Sequence, residues 1–122
     1  MPASILDPYL RIQEALADDS IATVRADAGA ITTAAAALGA PAMKIDTAAV
    51  QLAAANDLEA AREKFGVLSE AIRNYMSGFQ LKAPEGVRAA YCPMARKPWL
   101  QKGDAIANPY YGKDMLTCGE FR

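Results

Sequence analysis

Histidine is absent from the chain, and with it go the commonest general base and the commonest protein ligand for zinc and Cu(II). Most familiar catalytic constellations are thereby excluded. Aromatic residues make up only 7% and segments rich in β-branched residues are few, so close packing of alanine-rich helices is expected in place of a sheet core. No apolar run approaches the roughly 20 residues that cross a bilayer. The N-terminus shows no charged stretch followed by a hydrophobic one, and the chain reads either as a cytosolic protein or as a mature exported domain. Neither sign of charge dominates: 13 basic and 14 acidic residues leave a net −1, without the like-charge runs that bind nucleic acid or anionic membranes.

What is present is an apolar fraction of 52% in 122 residues, enough for one domain with a real core. Asp7 as N-cap and Pro8 at the first helical position, followed by Tyr9, Ile12 and Leu16, predict a first helix ending near Ala17. After a turn at Asp18, Asp19 and Ser20, the spacing of Ile21, Val24, Ala28, Ile31, Ala35 and Leu38 predicts a long amphipathic helix, closed by Gly39 and Pro41. A third, shorter helix is expected from Asp46 or Thr47 to Ala55, carrying Val50 and Leu52. Asn56 with Glu59 resembles a capping box before the most regular stripe of the chain: Leu58, Ala61, Phe65, Leu68, Ile72, Tyr75 and Phe79. The expected fold is mainly α. Residues 1–80 form an up-and-down four-helix bundle, and residues 84–122 form a small irregular or β-hairpin lobe. Proline and glycine punctuate that lobe from Pro84 to Gly119; within it, Val87 to Tyr91 is expected to pair with Met115 to Thr117.

Both cysteines fall in the lobe, each with a methionine beside it: Cys92 with Met94, and Cys118 with Met115. Thiolate and thioether sulfur are soft donors that favour Cu(I) and tolerate its low coordination numbers, which makes Cys92, Met94, Met115 and Cys118 the candidate metal ligands. Pro93 holds Cys92 extended, and in extended backbone Cys92 and Met94 share a face; Met115 and Cys118 can converge across one turn. The plain alternative is a Cys92–Cys118 disulfide closing a loop of about 26 residues, worth roughly 3 kcal/mol, with both methionines as core filler. Zinc would need Cys92, Cys118 and a carboxylate such as Glu120, an uncommon set. Trp99, Tyr110 and Tyr111 read as an apolar cluster joining lobe to helices, and Asn108 to Gly112 as a turn with Gly112 at positive φ. Asp18, Asp19, Asp57, Glu59 and Glu63 stand where caps and solvated helix faces place carboxylates.

Taken together, Tyr91-Cys92-Pro93-Met94, Trp99-Leu100, Asn108-Pro109-Tyr110-Tyr111-Gly112 and Met115-Leu116-Thr117-Cys118-Gly119-Glu120 resemble a bacterial domain family formally classed as uncharacterised. It occurs as stand-alone periplasmic proteins or as the C-terminal domain of periplasmic adaptor subunits in heavy-metal resistance-nodulation-division efflux pumps. The likeness is motif by motif in the last thirty or so residues and one of pattern in the helices. It implies export to the periplasm, a helical fold and a link to copper or silver homeostasis, with the same four sulfur positions matching.

The expected function is periplasmic Cu(I) or Ag(I) binding in support of heavy-metal efflux. The expected partner is an efflux adaptor or another periplasmic metal carrier, the chain itself being a monomer or weak dimer with no nucleic acid and no membrane insertion. A disulfide-stapled helical interaction domain without metal is the alternative. Redox catalysis lacks a Cys-x-x-Cys pair, and hydrolase or transferase chemistry lacks a nucleophile–base pair or a phosphate-cradling loop, so no catalytic turnover is expected.

Overall fold

A computed structural model describes residues 1–122. Four helices, α1 (Ala3–Ala17), α2 (Val24–Leu38), α3 (Met43–Ala53) and α4 (Leu58–Gly78), precede three strands, β1 (Val87–Cys92), β2 (Lys97–Lys102) and β3 (Glu120–Phe121). The fold is mainly α with a small antiparallel sheet in the order β2-β1-β3. Each helix packs on the next in the chain, and β2 packs against both α1 and α4. No helix is long and apolar enough to cross a membrane.

The apolar stripes explain the helices. Ile5, Tyr9, Ile12 and Leu16 of α1, Val24, Ala28, Ile31 and Ala35 of α2, Ile45, Ala49 and Leu52 of α3, and Ala61, Phe65, Leu68 and Ile72 of α4 are all buried in one cluster. The same cluster takes in Ala90, Cys92, Trp99 and Tyr110 from the lobe. Ile21, Leu38, Leu58 and Tyr75 pack against it partly buried, whereas Val50 and Phe79 are exposed, and Phe79 rests on the ring of Tyr75.

The helix starts differ from the sequence expectation for identifiable reasons. The first helix begins at Ala3, with Pro2 at the cap position and Pro8 inside it. Burial of Ile5 and Leu6 outweighs the hydrogen bond that an internal proline forfeits. The second begins at Val24 rather than Ile21, because Asp19 turns the chain at φ 57° and the Ser20 hydroxyl accepts from Ala22 N–H in the turn. Gly39 does close this helix, at φ 78°. Pro41 then sits in a short 3-10 turn, Ala40–Ala42, that leads directly into α3, so the third helix starts at Met43 rather than at Asp46 or Thr47 and ends at Ala53. The cap of α4 is Asp57, not Asn56: its carboxylate accepts from Ala60 N–H at 2.8 Å.

In the lobe, Val87–Cys92 is a strand as expected, but its partners are Lys97–Lys102 and Glu120–Phe121, not Met115–Thr117. Met115 ends a 3-10 turn, Gly112–Met115. The strand at Lys97 is masked in the sequence by Pro98, which reads as a breaker. Proline is tolerated on an edge strand where no donor is needed, and β2 is the edge of this sheet. Its outward backbone groups are satisfied by one side chain from α1 and one from the lobe: Leu100 N–H donates to the Tyr9 hydroxyl at 3.0 Å, and the Pro98 carbonyl accepts from the Tyr110 hydroxyl. Ser69 bridges the two phenols, 2.7 Å from Tyr9 and 3.3 Å from Tyr110. The single proton of Tyr110 goes to the nearer Pro98 carbonyl, so Ser69 donates to Tyr110 and Tyr9 donates to Ser69. The result is one continuous chain of donors that closes the sheet edge against the helices. Burial pushes both phenols above the ordinary tyrosine value, which keeps the protons of this chain in place.

Arg62 of α4 ties the two regions at the opposite end. Its guanidinium donates to the Leu16 carbonyl (2.8 Å), to the Pro109 carbonyl (3.0 Å) and to the Asp19 carboxylate (2.6 Å). That hydrogen bond, more than any other contact, holds the Asp19 carboxyl below the usual carboxylate range. Gly112, at φ 57°, lies so close that a Cβ there would land on the Asp19 carboxylate and the Arg62 guanidinium.

Candidate metal site

The segment Cys92-Pro93-Met94-Ala95-Arg96-Lys97 is the turn of the β1–β2 hairpin. Cys92 faces Lys97 across the ladder, Arg96 N–H donates to the Cys92 carbonyl at 2.7 Å, and Arg96 takes φ 55° to complete the reversal. This folding turns Ala95 N–H onto the Cys92 sulfur at 3.4 Å. A backbone N–H aimed at sulfur fixes how the side chain is oriented and so holds a candidate ligand in place. The sulfur-directed donor is absent from any residue-type motif, and only the turn conformation reveals it.

Cys118 is held from the other side. Its own N–H donates to the Met115 carbonyl at 3.0 Å, so Met115 and Cys118 do belong to one tight turn. Its carbonyl accepts from Asn108 Nδ2 at 2.6 Å. Asn108 is fully buried and also accepts the N–H groups of Tyr110 and Tyr111 on its Oδ1, which makes it the hub of the expected Asn108–Gly112 turn. Pairing of Tyr91 with Glu120 brings the Cys118 segment to the end of β1 that carries Cys92. Gly119 at this point lies against the Trp99 ring and the Tyr91 carbonyl, with no room for a Cβ. Both cysteines are free thiols.

The four sulfurs occupy two environments. Cys92 is in the core and Cys118 is half-buried, whereas Met94 is 64% exposed at the hairpin tip and Met115 38% exposed at the end of its 3-10 turn. The expectation that Cys92 and Met94 share a face rested on extended backbone, and the turn that begins at Pro93 removes that condition. No three of the His, Cys, Asp and Glu side chains gather anywhere, so the Cys92, Cys118 and Glu120 set weighed for zinc is not assembled. Of the expected aromatic cluster, Trp99 meets Tyr110 edge-on at 5.9 Å and Tyr110 continues through Phe65 to Tyr9, whereas Tyr111 joins no ring pair and only packs, partly buried, against the core. The cluster joins the hairpin that carries Cys92 to α1 and α4.

Compared with family models, with curated proteins and with solved structures, the chain finds no match in any of the three.

Proposed function

We propose that this chain binds Cu(I), or Ag(I) by the same softness, through Cys92 and Cys118 with Met94 and Met115 as exchange ligands, and that it serves heavy-metal efflux or homeostasis in the periplasm. The observation that carries the reading is the Cys92 hairpin turn, in which a backbone N–H is already directed at the sulfur and the adjoining β1–β3 pairing draws the second cysteine to the same strand end. Two thiols and two thioethers form a donor set that suits a soft monovalent ion and no hard one.

In this reading the exposed thioethers receive the ion and the cysteines retain it, with the Pro93–Arg96 turn opening to admit metal to the buried Cys92. The helices, in an up-and-down arrangement, serve as a rigid scaffold. The partner is an efflux adaptor or another periplasmic metal carrier that takes over the ion by sulfur-for-sulfur exchange, as the motif likeness to adaptor-linked domains implies. The protein performs no catalysis and acts as a monomer or weak dimer.

An anaerobic Cu(I) competition titration of the reduced protein against a chromophoric chelator tests the proposal, run beside a Cys92→Ser, Cys118→Ser variant. One Cu(I) per chain, lost in the variant, is the expected result. Absence of binding by either protein, together with spontaneous loss of both thiols in air, would sink it and favour a disulfide-stapled interaction domain.

A further inference from the structure

Between α4 and the sheet lies a cavity of about 240 Å³. Its sheet wall consists of three successive cross-strand pairs, Ala89 with Leu100, Ala90 with Trp99 and Tyr91 with Pro98. Ser69, Arg73 and Met76 line the other wall from one stripe of α4, at helical spacings of four and three. Ala89 brings only a methyl group to this wall, at a position where strands favour larger side chains. The Ser69 hydroxyl, engaged with both phenols, adds no charge.

The charged residues lining this cavity are Arg73 and Arg122, and no carboxylate lines it, although acidic side chains outnumber basic ones in the chain. Arg122 is built into place: its backbone N–H donates to the Ala89 carbonyl at 2.8 Å, and its guanidinium lies 4.0 Å over the Tyr91 ring. Each guanidinium has one acidic neighbour: Glu70 lies 3.9 Å from Arg73, and Glu120 accepts from both Nε and Nη2 of Arg122, the nearer at 2.7 Å. An Arg carries five N–H donors in a planar fork, so donors of both side chains stay available to an anion.

We infer that this cavity binds a small amphipathic carboxylate, its apolar chain lying between the Ala89–Ala90 segment and α4 and its head group between Arg73 and Arg122. The volume lies below the range of about 300–1,000 Å³ of drug-sized sites, which restricts the ligand to a small one with a single chain. The inference is independent of the metal reading, since none of the four sulfurs lines the cavity.

Trp99, the single tryptophan, lines the cavity and reports on it. Metal-free, reduced protein is titrated with decanoate below its micelle concentration and, separately, with 1-decanol, following Trp99 emission. Decanoate is expected to give a saturable change, with affinity weakened about tenfold for 1-decanol and for an Arg73→Gln, Arg122→Gln variant, the size of one charge-assisted contact. Both arginines are more than half exposed, so the variant folds, which its helical circular dichroism verifies. An Ala89→Leu variant, filling the mouth, is expected to abolish the change. No saturable response to decanoate, equal affinity for decanoate and decanol, or unchanged binding in the double arginine variant would each overturn the inference.

Discussion

Residues 3–78 and residues 87–121 are held by different kinds of force. The helices bury alanine, leucine and isoleucine stripes against one another, and their few buried polar groups sit mostly where helix meets sheet. The lobe rests on polar side chains spent on backbone. Buried Gln101 accepts from Trp99 Nε1 and Ala107 N–H while donating to the Ala105 carbonyl. Gln13 of α1 donates to the Ala107 carbonyl, and Asn108 organises the turn that carries Cys118. A lobe with two six-residue strands and a third of two residues has too little apolar area to order itself. It is ordered by borrowing the helical core through Trp99 and Tyr110 and by these side chain–backbone bonds. The contrast teaches that the region proposed for metal exchange is positioned by the helices yet keeps its two methionines exposed on turns.

The strongest way to break this comparison is to remove the shared anchor. Trp99→Ala deletes a buried lobe side chain that shares one core cluster with the helices and is expected to cost about 3–5 kcal/mol, read from urea denaturation of the helical circular dichroism signal. A lobe merely appended to the helices would leave that transition unmoved. Arg62→Ala comes next, at about 2–3 kcal/mol, since three hydrogen bonds from a charged donor are lost. Its unfolding by helical circular dichroism and by Trp99 emission should still coincide, as one cooperative unit requires.

Alkaline pH sharpens the comparison at the sheet edge. The folded Tyr9 phenol is raised by burial above the value of about 10 at which the unfolded one ionises. The stability it contributes is therefore complete below about pH 10 and is lost as pH rises toward its folded value, because the native state holds the proton longer. Tyr9→Phe should flatten that alkaline decline while costing about 1–2 kcal/mol at neutral pH. Equal slopes in the two proteins would remove Tyr9 from the account. The smallest effect is expected within the helices alone: Asp57→Ala removes the cap of α4 for about 1 kcal/mol, with thiol alkylation rates of Cys92 and Cys118 unchanged.

The same division governs what was readable from the residues. Four helices, their buried stripes and the Gly39 stop follow from a period that packing enforces. The starts did not, because Pro8 is accommodated inside α1 by tertiary burial and the 3-10 turn that holds Pro41 leads straight into α3. In the lobe, the strand at Val87, the turn at Asn108–Gly112 and the aromatic junction were legible. The strand at Lys97 was hidden because its edge position, which excuses Pro98, is a property of the assembled sheet. The sulfur residues could be named from the sequence, but their separation into buried Cys92 and exposed Met94 depends on a reversal that a residue at positive φ, Arg96, completes, and the proline that opens it, Pro93, reads equally well as holding Cys92 extended.

The most direct test of the metal reading is X-ray absorption at the copper edge on the stoichiometric Cu(I) complex. A first shell made only of sulfur, reduced to two sulfurs by Met94→Leu with Met115→Leu and still bound, is the predicted result. A shell containing nitrogen or oxygen ligands, or one unaffected by replacing Cys92 and Cys118, would contradict it.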